Sequence, residues 1–549
     1  MKKLLLFVIL ISLKSSLVFS QKINYTIQKS KEFEDEYKKS NIVLSEKDSE
    51  GNLLIVRSYN GNGLKYNQGF YVEKYNNDFK LLKEFDFSID HSNTEKYNTI
   101  IGITYLNSII SIIEIFYDLN RKEYICQANS LSNDFKISKK ELFIITREDI
   151  KNKGYIDLEE NCFNQSKELW NYNNLGEFSS VYNDPYSPFA NFNQKHSITE
   201  HSLSSNFTMT VNNTKTGFVI GVDFNNKKSE NLNLYVFDNN LNLKFNSEFG
   251  KEINDKKYIF QNIQLSPDAK SVYLLSKSYL KELKDKEKGG EYQFELIKFT
   301  EKNSKVQIIK TNEQYINSLK IIFNQDKITC LGFYSNYDED KFQGISYFSF
   351  DQNNLDLLNS KFNPFSEQFM IDKYGKKKDK GLKFLIFKNI FFTPNNDLIL
   401  NAEEQYITYI ANTNRTLFNC DDIISLKLNK NGELVWSRNI NKSQSFTDDD
   451  SYISYSSIVK DESNYFFINT GEEIKKLSND RIEFGQVRKN KSNLNIIRIN
   501  PDGDFDFVEI LDDENTAVPF KVSKGFIIDE SLIFIGQKGK VKQLLKVTL

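Results

Sequence analysis

The side chains that most often carry chemistry are scarce in this sequence: three His, four Cys and two Trp in 549 residues. A transition-metal site would need His91, His196 and His201 to converge, with Glu200 as the nearest helper. Cys126, Cys162, Cys330 and Cys420 include no CxxC pair, which removes zinc-ribbon and thioredoxin-like readings. Cys126 with Cys162 is the candidate disulfide, and buried free thiols are the alternative. Calcium is better served, because Asp502, Asp504 and Asp506 alternate and Asp448, Asp449 and Asp450 are consecutive. The runs do not place the sixth-position Gly and twelfth-position Glu of an EF-hand loop in register. An acidic strand edge is therefore expected, and no metal site is assigned.

Nucleophilic and phosphate-binding motifs are absent as well: the sequence holds no GxSxG, HExxH, P-loop or GxGxxG. No catalytic residue and no cofactor follow from it. Carbohydrate binding leans on exposed Trp; Trp436 sits in a strand pattern and reads as core, while Trp170 lies outside any such pattern. The 72 basic and 74 acidic residues nearly cancel, leaving no bulk drive toward nucleic acid. The Lys-rich runs 281–288 and 373–380 alternate with acidic residues or Gly and lack interleaved aromatics, so they read as solvated hairpin tips.

The N-terminus carries an address. Lys2 and Lys3 precede an apolar run over 4–13, and Val18 and Ser20 form a small-x-small pattern before Gln21. Residues 1–20 are expected to be a signal peptide, and 21–549 an exported protein, periplasmic or secreted. The apolar run is shorter than the ~20 residues of a spanning helix. The next most apolar stretch, 100–116, is broken by Asn107, Ser108, Ser111 and Glu114, so no transmembrane segment is expected.

Any site must be positioned by the elements that repeat along the chain. A strand rich in β-branched and aromatic residues, a turn of Asn, Asp or Gly, and a second alternating strand recur. The copies are 71–85, 124–142, 234–249, 294–310, 347–362, 424–439 and 494–510. Asn, Asp and Gly tolerate the positive φ that tight hairpins require. Two further strand-like runs precede several copies: 207–211 and 217–224, 258–265 and 271–275, 384–392 and 398–406. Four antiparallel strands per unit make the blade of a β-propeller. The interval between the turns near 133 and 240 is much the longest. It contains 152–197, which lacks alternation and reads as an irregular insertion.

At the C-terminus, 520–529, 531–536 and 543–549 supply three strands, and 23–28 supplies a fourth. Pairing the two termini in one blade closes the ring and protects its edges. The expected fold is all-β: a single β-propeller of eight four-stranded antiparallel blades, with seven as the alternative.

Two turns carry a resemblance. Ser266-Pro267-Asp268-Ala269-Lys270 resembles the S-P-D-G-K turn of WD40-like and TolB-like bacterial propellers, with Ala in place of Gly. The run from Asn429 through Gly432 to Trp436 resembles the D-x-x-G-x-x-x-W hairpin of many bacterial propellers, with Asn in place of Asp. The order of units is similar to that of a group of exported Bacteroidetes propeller-type proteins lacking an assigned activity. The resemblance implies a fold and a compartment and transfers no chemistry.

Propellers hold loops rigidly around an axial funnel, and function is grafted there. The expectation is a monomeric, non-enzymatic scaffold of the cell envelope with a protein or peptide partner and no nucleic-acid partner. Its candidate binding residues are Trp170, Tyr172, Tyr182, Tyr186, Phe189 and Phe192, because the insertion is long, irregular and aromatic. The alternative is a hydrolase or lyase acting on a polysaccharide or peptide at the axial cavity. A cluster of carboxylates with raised pKa lining the funnel would favour it.

Overall fold

The computed structural model describes residues 23–36, 39–60, 68–88, 95–156, 196–197, 207–224, 226, 228–253, 258–280, 292–311, 314–324, 326–336, 341–378, 380–409, 416–447, 451–471, 474–487 and 492–549. Its strands assemble into eight blades, each built on a four-stranded antiparallel path, with a few short strands added at the margins. Blade 1 covers 39–88, blade 2 95–145, blade 3 207–252, blade 4 258–309, blade 5 320–364, blade 6 385–440 and blade 7 455–511. Blade 8 combines Phe526–Ile528, Ser531–Lys538 and Val541–Thr548 with Thr26–Lys29 from the other end of the chain. The terminal strands pair antiparallel from Thr26↔Thr548 to Lys29↔Leu545, so the ring is closed as the sequence implies. The N-terminal strand begins three residues later than expected.

Eight apolar cores, one between each pair of neighbouring blades, make the ring continuous. Inner strands are buried on both faces: in Val272–Tyr279 of blade 4 every residue is buried. Outer strands alternate or lie largely in solvent, as in Leu81–Ser88. This gradient explains why the strand-turn-strand copies are the third and fourth strands of their blades. Only there does one face meet water and leave a period-two signal.

The turns between those strands are the other legible feature. Asn76, Asp238, Asn429 and Asn500 each accept hydrogen bonds through the side chain from two backbone amides of their own turn. The fourth turn position has positive φ, filled by Gly432 (77°) and Gly503 (94°) but also by Phe79 (56°), Phe135 (57°) and Leu241 (62°). Left-handed backbone costs an L residue ~1 kcal/mol or more. Here Phe79 and Phe135 offset it by burying their rings against the blades. Ala269, in the turn that resembles S-P-D-G-K, likewise adopts φ of 53° and is buried.

Ring closure has a polar fastening. Arg57 of blade 1 is fully buried and donates to Glu73 in the same blade and to Asp35 in the N-terminal segment. Lys542 of blade 8 lies 3.2 Å from Asp35, so four charges tie the two ends of the chain to blade 1. Burial opposes charge on Arg57, but the two carboxylates outweigh it and hold the guanidinium firmly protonated.

Candidate binding face

Antiparallel blades sort their connections onto two faces. Connections from first to second and from third to fourth strand share one face, and among blades 1–7 they are two to six residues long. Connections from second to third strand, and from blade to blade, share the other. Those include 146–206, 365–384 and 471–492. The first is the turn face and the second the loop face. The loop face also carries the elements that sequence periodicity missed: helix α1 (Arg147–Lys153), helix α2 (Glu367–Tyr374), and short strands at Gln314–Ile316 and Gln444–Thr447.

The insertion is rooted here. Thr146 caps α1 in a reciprocal box with Asp149, and Lys153 at its end reaches Glu248 (2.7 Å) and Asn233 (3.3 Å) of blade 3. Asn152 and Lys153, the first residues of the expected irregular stretch, are therefore helical. Trp170, Tyr172, Tyr182, Tyr186, Phe189 and Phe192 lie outside the described residues, as do Cys162, His91 and His201. Cys126 is fully buried in the core between blades 2 and 3. The chain is next described at His196–Ser197, which pairs with Ile407 and Tyr406 of blade 6, and then at Phe207 in blade 3. In an eight-membered ring blade 6 stands opposite blade 2, where the insertion starts.

The densest group of perturbed side chains lies beside that pairing. Glu403 on the second strand of blade 6 pairs with Ile423 and Gln405 with Cys420, and the bulge between them takes in Glu404, Asp421 and Asp422. Lys373, in the last turn of α2, bridges Glu404 (2.9 Å) and Asp422 (2.5 Å). Lys442, fully buried, lies 2.9 Å from Glu403 and donates to the carbonyls of Cys420 and Ile453. Tyr406 donates to Asp421 at 2.8 Å, and Arg438 holds Asp372 at 2.7 Å. Carboxylates exceed cations in this cluster, and burial pushes Glu404 up to about 7 against the pull of Lys373. Burial likewise raises Asp421.

Lys376, Lys377, Lys378 and Lys380 are exposed, as a solvated tip requires, but Lys373 corrects that reading at the start of the run. Lys373 sits on a capped helix, with Ser366 as N-cap and Gly375 in the left-handed C-cap, and its ammonium is enclosed by two carboxylates. The cluster clamps α2 to blade 6 through Lys373, which both Glu404 and Asp422 engage. Among the described residues no group of three or more His, Cys, Asp or Glu is arranged to hold a metal ion. Asp502 and Asp504 belong to a turn organised by Asn500, and Arg498 engages Asp506, as a strand opening requires. Trp436 is core, its indole donating to the carbonyl of Pro501.

No family model and no curated protein matches the chain. Among solved structures it is similar to the β-propeller domain of the trilobed protease from Pyrococcus furiosus, with 9% identity and a TM-score of 0.32 over 88% of this chain and 99% of that one. It is also similar to prolyl oligopeptidase B from Galerina marginata, with 8% identity and a TM-score of 0.36 over 91% of this chain and 55% of that one. A third similarity is to the polysaccharide lyase Uly1, with 11% identity and a TM-score of 0.34 over 97% and 94% of the two chains. The fold itself rests on the chain's own sheet topology and its eight interblade cores, which are those of an eight-bladed β-propeller closed by its termini.

Proposed function

We propose that the protein is an exported binding scaffold whose loop face takes a protein or peptide partner, with 152–197 and the adjoining edge of blade 6 at its centre. One observation carries the reading: every long connection lies on one face, while the opposite face is closed by short, self-bonded turns. Rigid scaffolds place recognition on such loops. The two described ends of the insertion, at blade 2 and blade 6, lie on opposite sides of the ring.

The test is retention of envelope proteins by chain 21–549 beside a variant lacking 157–195. A partner kept by the first and lost by the second, at equal thermal stability, supports the reading. A partner kept by both moves the site elsewhere, and retention by neither removes the binding role. Export is tested separately: the N-terminus of the secreted product is expected to be Gln21.

A second reading, turnover of a polysaccharide or peptide at the axial mouth, draws on Glu404, which keeps a proton near neutrality beside Tyr406 and Asp421. Against it, each carboxylate of that cluster already has a cation or hydroxyl partner. A Glu404→Gln variant that abolished measured turnover would favour the enzyme.

A further inference from the structure

The outer strands carry a pattern that neither ring closure nor the loop face requires. In blades 1–7 each carries, within its first three residues beside the turn face, an exposed large apolar residue, from Leu81 in blade 1 to Phe507 in blade 7. The exposed charge next to it changes sign around the ring. In blades 1–4 it is basic, as at Lys80 or Lys136. In blades 5–7 the exposed charge one to three residues before it is acidic: Asp356, Glu433 and Asp504.

The two halves meet at the seam between blades 4 and 5, where the apolar exposure is also greatest. Val306 and Ile308 are 52% and 45% exposed on blade 4, and Leu357 and Leu358 are each 51% exposed on blade 5. Lys305 donates to the carbonyl of Asn354 and lies 3.9 Å from Asp356, holding the two edges side by side as one patch.

We propose that the chain pairs with a second copy of itself through this seam. A two-fold contact requires one surface that complements itself, with residue i on j and j on i. Laying the blade 4 edge of one copy on the blade 5 edge of the other sets Val306 and Ile308 against Leu357 and Leu358. It also sets Lys305 against Asp356, and does so twice. A lipid surface would instead select the all-basic opening of blade 2, where Ile137 is flanked by Lys136, Lys139 and Lys140. The sign change across an apolar patch is what a second copy needs and a membrane does not. The pairing departs from the monomer expected of the sequence.

Sedimentation equilibrium of chain 21–549 across a concentration series tests this. The mass is expected to rise from one chain to two. A Val306→Glu/Leu357→Glu variant is expected to weaken pairing about tenfold or more. Lys305→Glu and Asp356→Lys should each weaken it, and the two together in one chain should restore it. All these positions are exposed, so unchanged thermal midpoints exclude misfolding as the cause. A mass of one chain throughout, or a dimer indifferent to V306E/L357E, overturns the proposal. So does a charge swap that fails to restore pairing, or capture of the monomer by anionic vesicles through the same residues.

Discussion

The turn face and the loop face are made by the same strands, yet they handle polar groups in opposite ways. On the turn face, short connections satisfy themselves. The backbone amides of Asn354 and Asn353 hold Asp351 below the usual carboxylate range, and Asn429 with Lys361 does the same for Glu433. On the loop side of the ring, several carboxylates lie along the second and third strands of their blades. There burial raises Asp223, Glu230 and Glu404 from their ordinary values to about 7. The turn-face carboxylates fix backbone, as Asp149 also does at the start of α1, whereas these three are raised by desolvation. The turn face is a fastening and the loop face is a surface available for selection to modify.

The comparison breaks most readily at a turn. Phe135→Ala removes a buried ring but leaves its position at positive φ, and is expected to cost ~3–5 kcal/mol in urea unfolding. A loss below about 1 kcal/mol would mean that such turns are ornaments of the ring. Next, a ten-residue Gly/Ser insert between Asn431 and Gly432 should cost about 2 kcal/mol, through lost turn bonds and unfilled positive φ. The same insert within 410–415, between the second and third strands of blade 6, should add only loop-closure entropy, roughly 0.9 kcal/mol. Equal costs would erase the distinction between the faces.

Proton linkage sharpens it further. Glu404 is raised in the folded chain, from 4.5 to about 7, so its contribution is complete below about pH 4.5 and is lost as pH climbs toward 7. Lys373 faces it, with Asp422 and Asp421 alongside. Asp351, lowered by its turn amides, behaves in reverse: its contribution is present above pH 3.8 and lost as pH falls through its folded value. Glu404→Gln should therefore flatten the decline in stability between pH 5 and 7, read from melting midpoints at each pH. An unchanged slope would place the titrating group elsewhere. The smallest effect is expected from deleting 157–195, which should leave the melting midpoint essentially in place because described residues of neighbouring blades build each of the eight cores. A large fall would make the insertion part of the framework.

The same contrast decides what could be read from the amino-acid order. Asn76, Asn429 and Asn500 mark their turns and Leu243–Glu252 alternates, because each obeys a local rule that holds wherever the strand lies. The composite blade was legible for a related reason: three strands near the C-terminus left one place unfilled. The blade 6 cluster was not. The acidic pairs Glu403–Glu404 and Asp421–Asp422 stand in plain view, but a bulge between Glu403 and Gln405 resets which side chains share a face. Strand pattern alone cannot reveal such a shift. Helix α2 did carry signals, with Ser366 before it and Gly375 after it, but eight residues inside an all-β repeat gave too little helical period to outweigh the Lys run.

Ring closure also sets a timetable. Thr26–Lys29 is among the earliest parts of the fold to leave a ribosome, yet its partner strand, Val541–Thr548, does not exist until synthesis has passed residue 540. For that interval blade 8 is incomplete, Asp35 has no Lys542, and Thr26–Lys29 and Ser531–Lys538 both lack the strand that lies between them. The last-made strand is therefore the latch. A nascent chain can gather its central blades one after another, but it cannot lock until its final strand arrives.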